Sequence, residues 1–382
     1  MDLTTLAAAI AVALGLMAAD AGLSSDKVMV DVAVPASYTQ AGVNTEIVEA
    51  LYLAEIQQII DTPSVVPPPA IRGTRDKSLA SSLADSLQLG EVGRSMQRML
   101  GYDPMHIRAS LIVEQETTKF IVVESSRKGK SFEISLDQRP GEPIVQLIKR
   151  GAVETIYQLE PYLALVHAMQ DAQSPEELAR LATSIKQLLM ALPNVPVSTT
   201  RSQYENLLGV IRLLSGDVDG AADSFNAAAL SDTRNAVALL NLGFIECQRD
   251  RYAEAERIVR RIVEPAPLSK QPVLIGAAYM TWACALMGQK NFAAADQKLA
   301  LAIQAYPYTS SGFELWGDLK EVLGKPDEAE GLRRKARENS IYFEQFAEVA
   351  MLYFELSWRD KEALHRSKFS NPNGPRALLS AN

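Results

Sequence analysis

NLGFIECQRDRYAEAERIV, residues 241–259, holds Cys247 between Glu246 and Gln248, with Arg249, Asp250 and Arg251 close behind. Read locally, a thiol among charges is a candidate nucleophile. Read for periodicity, the same stretch is one copy of a repeat. Leu242-Gly243 stands 34 residues after Leu208-Gly209, Ala255 stands 34 after Ala221, and Val259 stands 34 after Phe225. A further copy puts Ala295, Leu299, Ala302 and Pro307 in the same mutual spacing after a loop longer by six residues. Ala329 follows Ala295 by another 34, preceded by Trp316-Gly317 and Gly324. Four units in one register, over residues 203–339, make a repeated helix pair the reading to follow.

These residues resemble the tetratricopeptide repeat, a 34-residue helix–turn–helix whose pattern combines a Leu-Gly pair, a turn glycine, and an alanine followed by an aromatic. The resemblance departs at Lys290, where a turn glycine is common and Gly288 comes two residues earlier, and at Arg333, which replaces an apolar residue. It keeps the small residues that let helices touch: Gly209, Gly243, Gly317, Ala221, Ala255, Ala295 and Ala329. Each pair has too little apolar surface to fold alone, so neighbours stack into a solenoid. Leu208, Leu242, Trp282 and Trp316 are expected to fill the layer between them. Residues 174–192 read as a capped amphipathic helix from a degenerate leading unit. Residues 341–369 read as a capping helix, with Ile341, Phe343, Phe346, Val349, Ala350, Tyr353 and Leu356 apolar, and 370–382 as a loose tail.

In this family the first helix of each pair lines a concave surface. Carried over position by position, that implies a partner-binding groove of Asn206, Val210, Leu213 and Leu214 from the first unit and Leu240, Phe244, Cys247 and Gln248 from the second. The third contributes Met280, Cys284 and Met287, the fourth Glu314, Asp318 and Glu321. Three units present an apolar wall and the fourth an acidic one. No Lys or Arg stands among these positions, which argues against the carboxylate clamp of chaperone-binding members. An apolar groove with an acidic end suits an amphipathic or extended peptide carrying a basic residue. The competing expectation is that the groove is filled by the protein's own helices, residues 157–169 for instance, or by another subunit. The register also places Cys247 near the end of a first helix, where the helix dipole disfavours a thiolate.

The N-terminal half reads differently. Residues 28–35 (VMVDVAVP) form a β-branched run stopped by proline, and Gly42 and Asn44 open a helix carrying Ile47, Val48, Leu51, Ile56, Ile59 and Ile60. Residues 63–78, with four prolines, read as a stiff extended crossing segment, and 90–100 as a short helix. Three strands are expected at 106–114, 118–124 and 131–137, the last two joined by a turn over RKGK, and a helix from Pro143. This gives a small α+β module of three to four strands over residues 27–160, followed by an all-α array over 161–340. Glu114, Glu116, Glu124, Glu133 and Asp137 are expected on the solvent face of the strands. The module loosely resembles membrane-proximal domains found ahead of such repeats in bacterial proteins of unassigned role, through DVAVP, the helix after it and YQLEPYLALVHAM (157–169).

The chain begins with 17 uncharged residues, 3–19, within a hydrophobic segment 1–24. As a helix this run is about 26 Å long, slightly short of a ~30 Å hydrocarbon core. A single membrane anchor, a signal peptide and a docked hydrophobic helix all fit it. Asp2 and the lack of Lys or Arg count against the signal peptide. The side of the membrane is not set by the flanking charges, with the periplasmic side somewhat favoured.

Composition narrows the function. A formal net charge of −8 gives no electrostatic footprint for nucleic acid. Three scattered histidines and two cysteines offer no metal spacing and no disulfide framework, so neither a metal nor another cofactor is expected. Gly90 and Gly93 alone do not make a phosphate loop. The expectation is a non-catalytic scaffold that binds a protein or peptide partner in a membrane-associated complex, with self-association left open. A regulated enzyme or ligand sensor with its site in the α+β module is the alternative, or a periplasmic envelope or pilus assembly factor.

Overall fold

The computed structural model describes residues 27–40, 42–73, 105–114, 117–125, 131–193, 195, 197–264, 266–339 and 349. The expected helix at 90–100, the RKGK turn, Glu116, the hydrophobic segment 1–24, the capping helix and the tail therefore lie outside the described residues, save Val349. The chain divides into two compact units, with the break in the continuous chain between Ala164 and Leu165.

The first unit is built on one mixed sheet. Its strands are β1 (Lys27–Ala33), β2 (Ala70–Gly73), β3 (Met105–Glu114), β4 (Thr117–Ser125) and β5 (Glu133–Asp137), in the order β2-β1-β3-β4-β5. β1 runs parallel to both β2 and β3, and β3-β4-β5 is an antiparallel meander. After the short helix α1 (Ala36–Gln40), α2 (Thr45–Ile60) makes the crossover from β1 to β2. Asn44 caps it, its side-chain oxygen accepting from the Ile47 amide at 2.9 Å. α3 (Ile144–Leu159) follows β5, and α4 (Pro161–Asp171) begins where Glu160 and Pro161 interrupt it.

The sheet has five strands, one more than expected at most. The extra one lies inside the segment expected to cross without structure. Its four prolines end at Pro69, so Ala70-Ile71-Arg72-Gly73 keeps its amides and pairs in register with residues 27–30. Val30, Ile107, Ala109, Phe120 and Val122 are fully buried with Val48, Tyr52 and Ile56 of α2 and Leu147, Ile148 and Ala152 of α3. The Tyr52 hydroxyl shares a 2.6 Å hydrogen bond with Thr155, tying the two helices, and its ring meets Phe120 edge-on at 5.3 Å. Burial pushes the Tyr52 phenol well above its usual range. Glu124 corrects the sequence reading. It follows the parity of Thr118, Phe120 and Val122, and so falls on the buried face, opposite Ile107, at 3% exposure. Glu114, Glu133 and Asp137 are exposed.

The second unit is an array of helix pairs. α5 (Pro175–Ala191), capped by Ser174, leads into four pairs: α6 (Thr199–Leu214) with α7 (Val218–Ser231), α8 (Ala236–Gln248) with α9 (Tyr252–Val263), α10 (Pro272–Gly288) with α11 (Phe292–Ala305), and α12 (Ser310–Val322) with α13 (Pro326–Asn339). The third unit's longer loop is partly absorbed by α10, which starts a turn early on Pro272. The backbone carries the period as plainly as the side chains. A residue with positive φ ends each first helix: Gly216 (83°), Asp250 (60°), Lys290 (60°) and Gly324 (72°). Each turn closes with the same bond five residues back, Asp217 to Arg212, Arg251 to Glu246, Asn291 to Leu286 and Lys325 to Lys320.

Candidate interaction surface

Within each pair the crossing positions are small for steric reasons. A Cβ on Gly209 would lie 2.5 Å from the Phe225 ring, and one on Gly243 would lie 2.6 Å from Val259 Cγ1. Ala221, Ala255, Ala295 and Ala329 are fully buried opposite them. Leu208 and Trp282 are buried in the layer between units, while Leu242 and Trp316 are only partly so.

The first helices lie side by side, α6 against α8, α8 against α10, and α10 against α12. Asn241 donates to Asn206 at 2.9 Å across the first of these contacts, and Cys247 Sγ lies 3.6 Å from the Thr281 carbonyl across the second. The positions expected to line the groove divide sharply. Asn206, Val210, Leu213, Leu214, Leu240, Phe244, Cys247, Met280, Cys284 and Met287 are at most 6% exposed. Gln248 and Asp318 are partly exposed, and Glu314 and Glu321 are exposed. The apolar wall is dry, and only its rim and its acidic end meet solvent.

Both cysteines are free and buried. Burial pushes the Cys284 thiol up to about 12, with Asp318 adding to the effect. Burial, Cys284 and Glu246 all raise Cys247. A thiol held protonated through neutral pH is a poor nucleophile and a poor metal ligand. Among the described residues no group of three or more His, Cys, Asp or Glu could hold a metal ion.

The acidic end holds a feature that first-helix positions alone did not reveal. Arg333, on the second helix α13, lays its stem on Gly317, which a Cβ would bring to 3.2 Å of Arg333 Cγ. Its guanidinium then reaches Asp318 at 3.2 Å and also pairs with Glu321. A basic group therefore does stand at this end, supplied from the layer behind. The signal was in the sequence, as the one charged residue at a position that is apolar in the other units.

Behind the first helices the aromatics carry cations. Lys298 sits 3.4 Å from the centroid of Trp282, with Arg260 at 5.6 Å. Trp316 Nε1 donates to Asp296 at 2.7 Å, and Lys320 bridges Asp296 at 2.8 Å and Glu328 at 3.2 Å. Desolvation opposes ionisation of Asp296, but Lys320 and Trp316 outweigh it and hold the carboxyl below its usual range. These contacts tie α11, α12 and α13 together.

No family model matches the chain, and no curated protein matches it. Among solved structures, part of the chain is similar to the crystal structure of MamA, at 21% identity over 43% of this chain and 89% of that one, with a TM-score of 0.34. It is also similar to pilF of Pseudomonas aeruginosa, at 16% identity over 47% of this chain and 77% of that one, TM-score 0.39. A tetratricopeptide repeat protein from Parabacteroides merdae matches at 16% identity over 50% of this chain and 72% of that one, TM-score 0.38.

Proposed function

We propose that this chain is a non-catalytic scaffold whose concave face of first helices binds a protein or peptide partner. The observation that carries the reading is the side-by-side row α6, α8, α10 and α12, which sets an apolar wall beside a carboxylate-rich end. The wall itself is at most 6% exposed, so a partner would meet the partly exposed Gln248 and Asp318 and the exposed Glu314 and Glu321, a carboxylate-rich rim suited to a segment carrying basic residues. The protonated, buried thiols weigh against chemistry at Cys247. The uncharged run 3–19 favours a complex at a membrane. Among the described residues no helix is long and apolar enough to cross one.

Affinity capture with the tagged full-length chain tests the reading. A Gln248→Arg, Glu321→Lys double variant changes the solvent-facing rim without touching the dry wall. Asp223→Arg, exposed on the second helix α7, is the control. The expected outcome is that the partner recovered by the parent and by the control is reduced at least tenfold with the double variant. Equal recovery from a folded double variant would remove the concave face from the account.

A further inference from the structure

The three most exposed large hydrophobic side chains among the described residues gather at one end of the array: Met190 at 84%, Val197 at 70% and Leu230 at 70%. Met190 is in the last turn of α5 and Leu230 in the last turn of α7. Both turns lie against the first turn of α6. Arg201 Nη2 donates to the Leu189 and Leu192 carbonyls at 3.2 Å each, and Ser202 Oγ donates to the Ala228 carbonyl at 2.7 Å. The Ser198 amide donates to the Ser231 carbonyl at 3.0 Å, which sets Val197 beside Leu230. Val195, also exposed, stands in the same loop. The helices turn their core faces elsewhere, through Leu178 and Ile185 on α5 and Ala221, Phe225 and Ala228 on α7. Met190 and Leu230 stand off those faces.

The charge left open around these side chains is basic. Lys186, one turn before Met190 on α5, and Arg234, just past the end of α7, are exposed and make no ion pair among the described residues. The neighbouring carboxylates are engaged. Asp232 accepts from Thr199 Oγ1 and from the Arg234 amide, both at 2.9 Å, and Glu205 accepts from Ser231 Oγ at 2.6 Å. Protruding aliphatic groups bordered by cations match the layering of an anionic bilayer, with acyl chains below and phosphates above. Side chains that stand this far out have no flanking wall, so they make no groove to seat a peptide. A bilayer interface needs no such wall and takes apolar groups as they protrude. We infer that this end of the array rests on an anionic lipid surface, inserting Met190, Val195, Val197 and Leu230 at the acyl boundary and setting Lys186 and Arg234 among the headgroups.

Val197→Cys in the full-length chain, labelled with a polarity-sensitive fluorophore, tests whether this end enters lipid. Cys247 and Cys284 are buried, which keeps the label at 197. Vesicles of phosphatidylcholine mixed with phosphatidylglycerol are expected to raise the emission about threefold or more, and phosphatidylcholine alone to raise it less. The same label at Asp327, exposed in the first turn of α13, is expected to stay unchanged. In a Lys186→Glu, Arg234→Glu background the lipid concentration at half-response is expected to rise about tenfold. Flat emission at 197 with the mixed vesicles overturns the inference, and so does an unchanged half-response in the charge-reversed background. An equal rise at 327 would mean adsorption of the whole chain or binding through 3–19 alone, and also overturns it. Emission that rises with protein concentration in the absence of vesicles would make the occupant a second copy. A rise only on adding a partner protein would make this end a protein surface, and either result overturns the lipid reading. The concave face takes no part in this test, so its outcome is separate from that of the rim variants.

Discussion

The turn positions test the repeat at its finest grain. Lys290 holds a left-handed conformation that costs an L-residue with a Cβ roughly 1–2 kcal/mol, partly recovered as glycine's own entropy penalty on substitution. Lys290→Gly is therefore expected to raise stability by about 0.5–1 kcal/mol in denaturant titration. Gly243→Ala should do the reverse. Its Cβ has only 2.6 Å to Val259, and overpacking of this kind costs about 1–3 kcal/mol. The thiols give a pH dependence. Their folded pKa values lie above the unfolded one, so the unfolded chain releases their protons first as pH rises. Their contribution is intact below the unfolded thiol range and is lost progressively above about pH 8.5. Cys284→Ala should flatten the alkaline fall in stability measured by denaturant titration between neutral pH and pH 11.

At the scale of single elements, periodicity was legible where one face is dry and misleading where all are. The alternation of β4 was visible in the sequence, but Glu124 was assigned by its charge rather than by its parity with Phe120 and Val122. β2 was hidden because proline content describes a segment on average, and four proline-free residues suffice for an edge strand. In the array the 34-residue interval, with one loop longer by six residues, marked the helix pairs, since Gly209 and Gly243 are fixed by steric contact. What it did not show was that the wall is dry. Family positions give the direction a side chain takes, and burial depends on what lies opposite. This has a measurable consequence for α10. Met280→Lys places a charge in a fully buried position and should cost about 3 kcal/mol or more in denaturant titration. On an open groove the same change would be close to neutral.

Over the whole molecule, the sequence marked two kinds of order, a small sheet covered by helices and an array of helix pairs, while the parallel pairing that makes the sheet mixed came from the structure. The acidic end was legible only in part. Arg333 acts on Asp318 and Glu321 from the second layer, so this end of the array is less negative than its first-helix residues alone imply. The central claim is that the concave face of the first helices is where a partner protein binds. A photoreactive residue at Gln248 in the full-length chain, irradiated in the cells that make it, tests this directly. The account predicts a heterologous partner crosslinked at position 248 and absent when the same group is placed at Asp223. Equal capture at both positions, or capture at 223 alone, would contradict it.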